Sequence, residues 1–169
     1  TALEKRAYYQ TLRAYEYLRS IKGLENLRID FVAEETGVRE TNRIVGESTV
    51  TEEDYINGKF YPDSVCYAFY PIDRHVPDGI VQRFHKEDVV AKIPYTALIP
   101  KNSKHILCVG RCISSDIFAN SAVRVEAVCM ATAQAAGCAA ALAAESGTDV
   151  KEVPYPSLCR ALEAIGEIV

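Results

Sequence analysis

The chain has 169 residues, of which 49% are hydrophobic and 25% charged, and it carries a formal net charge of −4 with a pI near 5.4. That composition predicts a soluble globular protein with a real core and argues against disorder. The basic residues are scattered rather than clustered, which argues against DNA or RNA as a partner.

The N-terminal third predicts two helices with β-prone chain between them. From about Ala2 to Ile21, apolar residues recur at helical spacing, and Gly23 follows as a stop signal. The segments LRIDFVAEE and VRETNRIVGE alternate apolar and polar residues and predict two short strands or a hairpin. STVTEEDYING predicts a short helix capped by the Thr51 hydroxyl, with three acids in its first turn.

The middle of the chain is β-prone. A strand is predicted around Val65 to Ile72, followed by a loop from Pro71 to Gly79 that carries Asp73, Arg74 and His75. A second β-prone segment, DVVAKIPYTALIP, leads to the compact apolar stretch HILCVG, which we predict to be a strand ending at Gly110.

A long Ala-rich helix is predicted from near Ser121 to near Gly147, after the turn CISSDIFANS. Its ATAQAAGCAAALAA stretch has little side-chain bulk with which to hold itself in place, so something must lie very close to it. Ala127–Ala144 is long enough to span a membrane, but alanine contributes little to insertion, and we predict a tightly buried helix without membrane contact. PSLCRALEAIGEI predicts a last amphipathic helix with Pro156 near its start.

The six cysteines are predicted to be reduced, because they lie in apolar stretches of a chain too large to need disulfides. Three residues separate Cys108 from Cys112, and the chain has no C-x-x-C pair, which argues against zinc and against thiol-based redox chemistry. The start TALEKRAYYQ lacks the apolar run of a signal peptide. We therefore expect a cytoplasmic protein whose given sequence begins inside a longer chain.

A strand ending in glycine and leading through a turn into a helix can bring backbone N–H groups against a ligand. The first turn of a helix has unpaired donors and a positive dipole end, which suit a phosphate, a carboxylate or a carbonyl edge of a heterocycle. The alternative is structural, in that alanine and glycine let the helix pack tightly on a sheet. The residues alone leave both interpretations open.

LCVGRCISSDIFANSAVRVEAVCMATAQAAGCAAALA resembles the C-terminal segment of the FAD-dependent oxidoreductases of the glutathione-reductase-like and fumarate-reductase-like superfamily. GVRETNRIVGESTVTEED, YPIDRH and IPYTALIP resemble further segments of that family in the same order, so the resemblance covers roughly residues 24–144. It implies an α/β or α+β fragment: the C-terminal part of a Rossmann-type FAD-binding domain, with its final strand and long helix, and part of a β-rich substrate-facing region.

The resemblance also implies cofactor contacts. The start of the Ala-rich helix would face the pyrimidine end of the flavin ring, and the preceding turn would lie along the ribityl chain. The residues so implicated are Gly110, Arg111 and Cys112 of the turn, and Ser121, Ala122, Val123, Arg124 and Val125 of the helix.

The G-x-G-x-x-G turn that holds the FAD pyrophosphate in such flavoproteins does not occur, because the nine glycines never fall as G-x-G. We therefore expect a single compact unit, residues 1–169, that is the C-terminal fragment of a longer flavoprotein. In it, about residues 24–100 would be substrate-facing and about 104–147 would end the FAD-binding domain. The chain alone is expected to bind FAD weakly or not at all and to be inactive.

Four residues are candidates for substrate chemistry beside the flavin: Arg39, Arg43, Asp73 and His75. On a strand, the even spacing of the two arginines would put them on one face, where they could clamp a carboxylate. The alternative is that they pair with Glu40 or Glu47 at the surface. The imidazole near Asp73 could act as an acid or base, and the alternative for it is plain solvent exposure.

The leading hypothesis is therefore an FAD-dependent oxidoreductase acting on a small-molecule substrate, completed by the N-terminal part of the same protein. The alternative is a non-catalytic binding or oligomerisation module in which the Ala-rich helix is a packing interface. Self-association into a homo-oligomer is plausible on either hypothesis.

Overall fold

The computed structural model describes residues 1–76 and 78–169. Contacts within the chain group into two units, Thr1–Arg39 and Glu40–Val169, whereas the sequence predicted one. The assignment of residues 24–100 to substrate and 104–147 to cofactor stays a prediction.

The first unit is built on helix α1, Ala2–Arg19, which confirms the helix predicted there. The Thr1 hydroxyl caps it by accepting a hydrogen bond from the Glu4 backbone N–H. The Glu4 carboxylate in turn accepts hydrogen bonds from the backbone N–H and the hydroxyl of Thr36, which holds the later part of this unit against the helix.

The second unit contains the other helices and the four strands of the part of the chain that the structure describes. Its helices are α2 (Glu52–Asn57), α3 (Ile117–Val123), α4 (Glu126–Ser146) and α5 (Tyr155–Ala164). Its strands are β1 (Ser64–Ala68), β2 (Ile72–Val76), β3 (Gly79–Arg83) and β4 (Ala91–Pro94). Three short 3-10 helices lie at Tyr95–Leu98, Gly110–Cys112 and Val150–Glu152.

Two antiparallel pairs, β1 with β4 and β2 with β3, form the sheets of the described chain. The mixture of helices with small sheets agrees with the α+β class. The loop predicted from Pro71 to Gly79 is wrong, because β2 and β3 form a hairpin in which Asp73 pairs with Gln82. Pro77, within that predicted loop, lies outside the described residues.

Neither LRIDFVAEE nor VRETNRIVGE forms a strand, although the structure describes every residue of both. A single bridge joins Gly46 to Pro100 at the end of this region. Phe31 is 77% exposed and Val45 70%, so the alternating pattern buries no continuous face. Backbone hydrogen bonds such as Glu47 N–H to the Ile99 carbonyl join residues 44–47 to neighbouring chain, but they form no continuous ladder.

HILCVG is likewise not a strand. The Cys108 backbone N–H donates to the Leu98 carbonyl at 2.8 Å, but the described chain provides no ladder for residues 106–109. Predictions that rest on local patterning elsewhere are confirmed: the Thr51 hydroxyl caps α2, and α5 begins with proline in its first turn.

The long Ala-rich helix does not begin at Ser121. Asp116 caps the separate helix α3 by accepting hydrogen bonds from Phe118 and Ala119, and the chain then breaks at Arg124 and Val125. Helix α4 starts at Glu126 and ends at Gly147, which adopts φ +66, so the predicted end is confirmed.

One face of α4 packs on β1, on α5 and on the 3-10 helix Gly110–Cys112. That buried face comprises Val128, Thr132, Ala135, Ala136, Ala139 and Ala143. The helix is less buried than predicted, because only 33% of its most apolar stretch is buried. By length and composition α4 could cross a membrane, a test that core helices of soluble proteins also pass.

Candidate functional site

Asp73 and His75 lie on β2, two residues apart and therefore on the same face of the strand. The His75 Nε2 atom is 3.8 Å from Asp73 Oδ2, and the imidazole is half-exposed while the carboxylate is mostly buried. The other oxygen, Asp73 Oδ1, is buried and receives no hydrogen bond from the described residues. A buried carboxylate oxygen without a donor can accept a proton or a hydrogen bond from a substrate.

Strand β2 is tied to the end of α3. The Asp73 backbone N–H donates to Ser121 Oγ at 3.1 Å, and that hydroxyl donates to the Phe118 carbonyl at 2.7 Å. Ser121, Ala122 and Val123 are buried in the last turn of α3. They do not form a helix N-terminus, so first-turn N–H groups cannot be the basis of the predicted cofactor contact, and the contact itself stays a prediction.

Arg43 and Arg124 meet at one carboxylate. Glu40 Oε1 lies 3.1 Å from Arg43 Nη1, and Glu40 Oε2 lies 3.1 Å from Arg124 Nη1. Arg43 Nε donates to the Ser115 carbonyl at 3.1 Å, and Arg124 Nη2 donates to the Asp73 carbonyl at 3.4 Å. Three of the four predicted catalytic residues, Arg43, Asp73 and His75, are thus joined to Arg124 in one cluster.

Arg39 lies in the first unit and is exposed. The strand that would have placed it on one face with Arg43 does not form, so the geometric basis for a clamp by these two arginines is lost. The alternative, a pairing of Arg43 with Glu40, is confirmed. From the sequence, Glu40 was expected only to be a surface acid. The i,i+3 spacing of Glu40 and Arg43 could have indicated their contact. The contact of Glu40 with Arg124 joins residues 84 positions apart, so no local pattern indicates it.

The 3-10 helix Gly110–Cys112 packs against α4. Gly110 has φ +74, and its backbone N–H donates to Thr132 Oγ1 at 3.4 Å. A Cβ atom at Gly110 would lie 3.8 Å from Cys129 Sγ, an ordinary contact, so the positive φ rather than lack of space favours glycine. The Cys112 thiol donates to the Val109 carbonyl, and the Arg111 side chain is exposed.

All six cysteines are free. Burial raises the pKa of the Cys108 and Cys129 thiols, and it raises the pKa of Cys66 to about 12. These groups are therefore protonated at neutral pH and are poor nucleophiles. Within residues 1–76 and 78–169, no group of three or more His, Cys, Asp or Glu side chains could hold a metal ion.

Helix α4 begins without a side-chain cap. Val125 occupies the capping position with extended backbone, φ −68 and ψ 151, and has no side-chain oxygen to accept from the first turn. The backbone donors and positive dipole end therefore belong to Glu126, Ala127 and Val128, rather than to Ser121–Val125 as predicted. The break at Arg124 and Val125 was missed because Val-Arg-Val contains neither glycine nor proline.

A largely apolar groove of about 540 Å³ borders the first turns of α4. Ala127 and Ala131 form one wall, and Tyr67 and Phe69 contribute aromatic surface opposite. A second groove, of about 680 Å³, lies in the first unit between α1 and residues 31–37, and neither groove is lined by any of the predicted site residues. The smaller groove is the better candidate for a ligand because it lies beside the uncapped helix end.

Comparison with known proteins gives one match. A family model described as FAD dependent oxidoreductase matches residues 2–162. No curated protein and no solved structure matches the chain.

Proposed function

The chain belongs to the FAD dependent oxidoreductase family, and on that premise we propose that it supplies part of the flavin site and the substrate-facing groups of such an enzyme. The observation that carries the proposal is the uncapped start of α4 beside the cluster of Arg43, Asp73 and Arg124. It brings a helix end with free backbone donors and groups able to handle a proton into one unit, although the first turn of α4 also carries the acidic Glu126.

The residues present fit one end of FAD. The uncapped first turn of α4 suits the pyrimidine edge of a flavin, whose N1 and C2 carbonyl region gathers negative charge on reduction. Gly110 provides a turn with positive φ against α4, where backbone can approach a ribityl chain closely. When bound, FAD supplies the acceptor for a hydride or an electron pair.

The other end of FAD needs residues beyond these 169. No G-x-G-x-x-G turn is present in the sequence to hold a pyrophosphate. We therefore propose that this chain is the C-terminal portion of the enzyme and that its N-terminal part completes the Rossmann-type domain. The exposed small residues of α4 support this, since a face of Ala133, Gly137, Ala140 and Ala144 allows close backbone packing.

On the substrate side, His75 is the proposed acid or base and Asp73 orients its ring. Arg43 is proposed to orient a small-molecule substrate through its guanidinium, although it already contacts Glu40.

The visible absorption spectrum of the natural full-length protein tests the proposal. A flavin spectrum that bleaches on anaerobic addition of a substrate is the expected result. His75→Gln and Arg43→Lys should slow bleaching with FAD still bound, whereas the exposed-site control Arg160→Lys should not. A protein that stays colourless after FAD is added would contradict the proposal.

A second candidate function is a binding or oligomerisation module. The exposed small-residue face of α4 favours it, because such a face suits helix packing between chains. A colourless protein whose molecular mass in solution is that of a dimer or larger oligomer would support it.

A further inference from the structure

Glu40 lies between two arginines that come from different parts of the second unit. Arg43 is three residues away, while Arg124 occupies the break between α3 and α4. Each guanidinium binds a different oxygen of the same carboxylate at 3.1 Å. The two positive charges are thus held at a fixed separation by one negative charge.

Arg124 depends on this contact more than Arg43 does. Its side chain is 12% exposed, so its charge is largely removed from water and needs a partner. Its second nitrogen reaches the Asp73 carbonyl, which ties the same guanidinium to β2. Glu40 and the Asp73 carbonyl therefore together hold the Arg124 guanidinium beside β2.

We propose that Glu40 is a positioning residue that fixes Arg43 and Arg124 and thereby sets the reduction potential of the bound FAD. The inference rests on the proposed function. Arg124 directly precedes the uncapped first turn of α4, which is the end assigned to the flavin. A flavin gains negative charge on reduction, so positive charge nearby favours the reduced form. Glu40 offsets part of that charge.

The isosteric substitution Glu40→Gln isolates this effect. The amide oxygen of the new glutamine can accept a hydrogen bond from one guanidinium. Its NH₂ group lies against the other guanidinium, and because both groups are donors no hydrogen bond forms there. The bridge opens, and the site gains one net positive charge. A unit charge in a partly buried site is expected to shift the equilibrium about tenfold toward reduced FAD, which is about 30 mV for a two-electron couple.

The test is an equilibrium titration of the FAD-loaded full-length protein against a redox dye. Glu40→Gln should raise the midpoint potential, and Glu47→Gln, an exposed carboxylate in the same unit, should leave it unchanged. Arg124→Gln should lower the midpoint potential, because it removes the positive charge that Glu40 holds and partly offsets. A general loss of packing would lower the melting temperature of both variants without these opposite shifts in potential.

Each result decides the proposal. An unchanged potential in a folded, FAD-loaded Glu40→Gln protein overturns it and leaves the proposed function standing. A full-length protein that binds no FAD overturns both. If Glu40→Gln does not fold, Arg124→Gln alone must lower the potential, and an unchanged value there overturns the proposal.

Discussion

The backbone N–H of Asp73 donates a 3.1 Å hydrogen bond to Ser121 Oγ, so the strand that carries the proposed acid–base pair is fastened to helix α3. The same hydroxyl donates to the Phe118 carbonyl and is almost fully buried. The Ser121 hydroxyl therefore holds β2 against α3 from the last turn of that helix, whereas the resemblance implied the first turn of the long helix.

Ser121→Ala should destabilise the second unit by about 1–3 kcal/mol, because it leaves the Asp73 N–H and the Phe118 carbonyl without this partner. Urea unfolding followed by circular dichroism measures the change. Thr41→Ala, at an exposed position, should stay within about 0.5 kcal/mol of the parent. Equal stabilities for the two variants would show that the serine bridge contributes nothing.

Gly110→Ala should cost about 1–2 kcal/mol of stability, because alanine at φ +74 is strained although its Cβ has room. FAD affinity of the full-length protein should fall with it. The matched control is Gly137→Ala in the isolated 169-residue chain, where a Cβ inside α4 meets nothing within 4 Å and the chain should gain about 0.5–1 kcal/mol. Thermal unfolding of both variants checks the opposite signs, and a stable Gly110→Ala protein would contradict the account.

His85 should make the protein less stable as the pH falls below about 6.5. Burial lowers the pKa of this imidazole from its usual 6.5, and its Nε2 atom receives no hydrogen bond from the described residues. The unfolded chain therefore takes up the proton first, and stability rises with pH through this range. His85→Phe keeps a ring against Tyr55, 4.7 Å away, and should flatten the dependence between pH 5 and 8. An unchanged slope in guanidinium unfolding would contradict this assignment.

The isolated 169-residue chain should bind FAD weakly or not at all, because its sequence offers one end of the cofactor site and no G-x-G-x-x-G turn. Equilibrium dialysis or fluorescence quenching of FAD measures the affinity. A tight complex of one FAD per chain would refute the prediction and the fragment interpretation with it.

Local patterns in the sequence predict the helices well and the strands poorly. The Thr51 cap, the proline at the start of α5 and Gly147 are signals that act within a few residues, and each confirms its helix boundary. Strands need partners that no local pattern reveals, which is why VRETNRIVGE and HILCVG make isolated backbone hydrogen bonds but no ladder in the structure. The β2–β3 hairpin was missed because the stretch from Pro71 to Gly79 combines two prolines with a glycine, a composition typical of a loop.

In the candidate site, too, the sequence indicated individual residues but not the contacts that depend on tertiary packing. The sequence identified Arg43, Asp73, His75 and Arg124 individually, and the structure joins them. It could not show that Glu40 binds an arginine 84 residues away, since that contact depends on tertiary packing. The sequence placed the start of α4 five residues too early. Asp116 caps the separate helix α3, and the boundary between α3 and α4 carries no capping side chain that could have indicated it.

Hydrogen–deuterium exchange of the full-length protein with and without FAD tests most directly whether this chain forms part of the flavin site. The account predicts slower exchange on FAD binding in the peptides that cover residues 110–112 and 126–128, with no change in the peptide that covers α1. Unchanged exchange at 110–112 and 126–128 in a protein that binds FAD would contradict it.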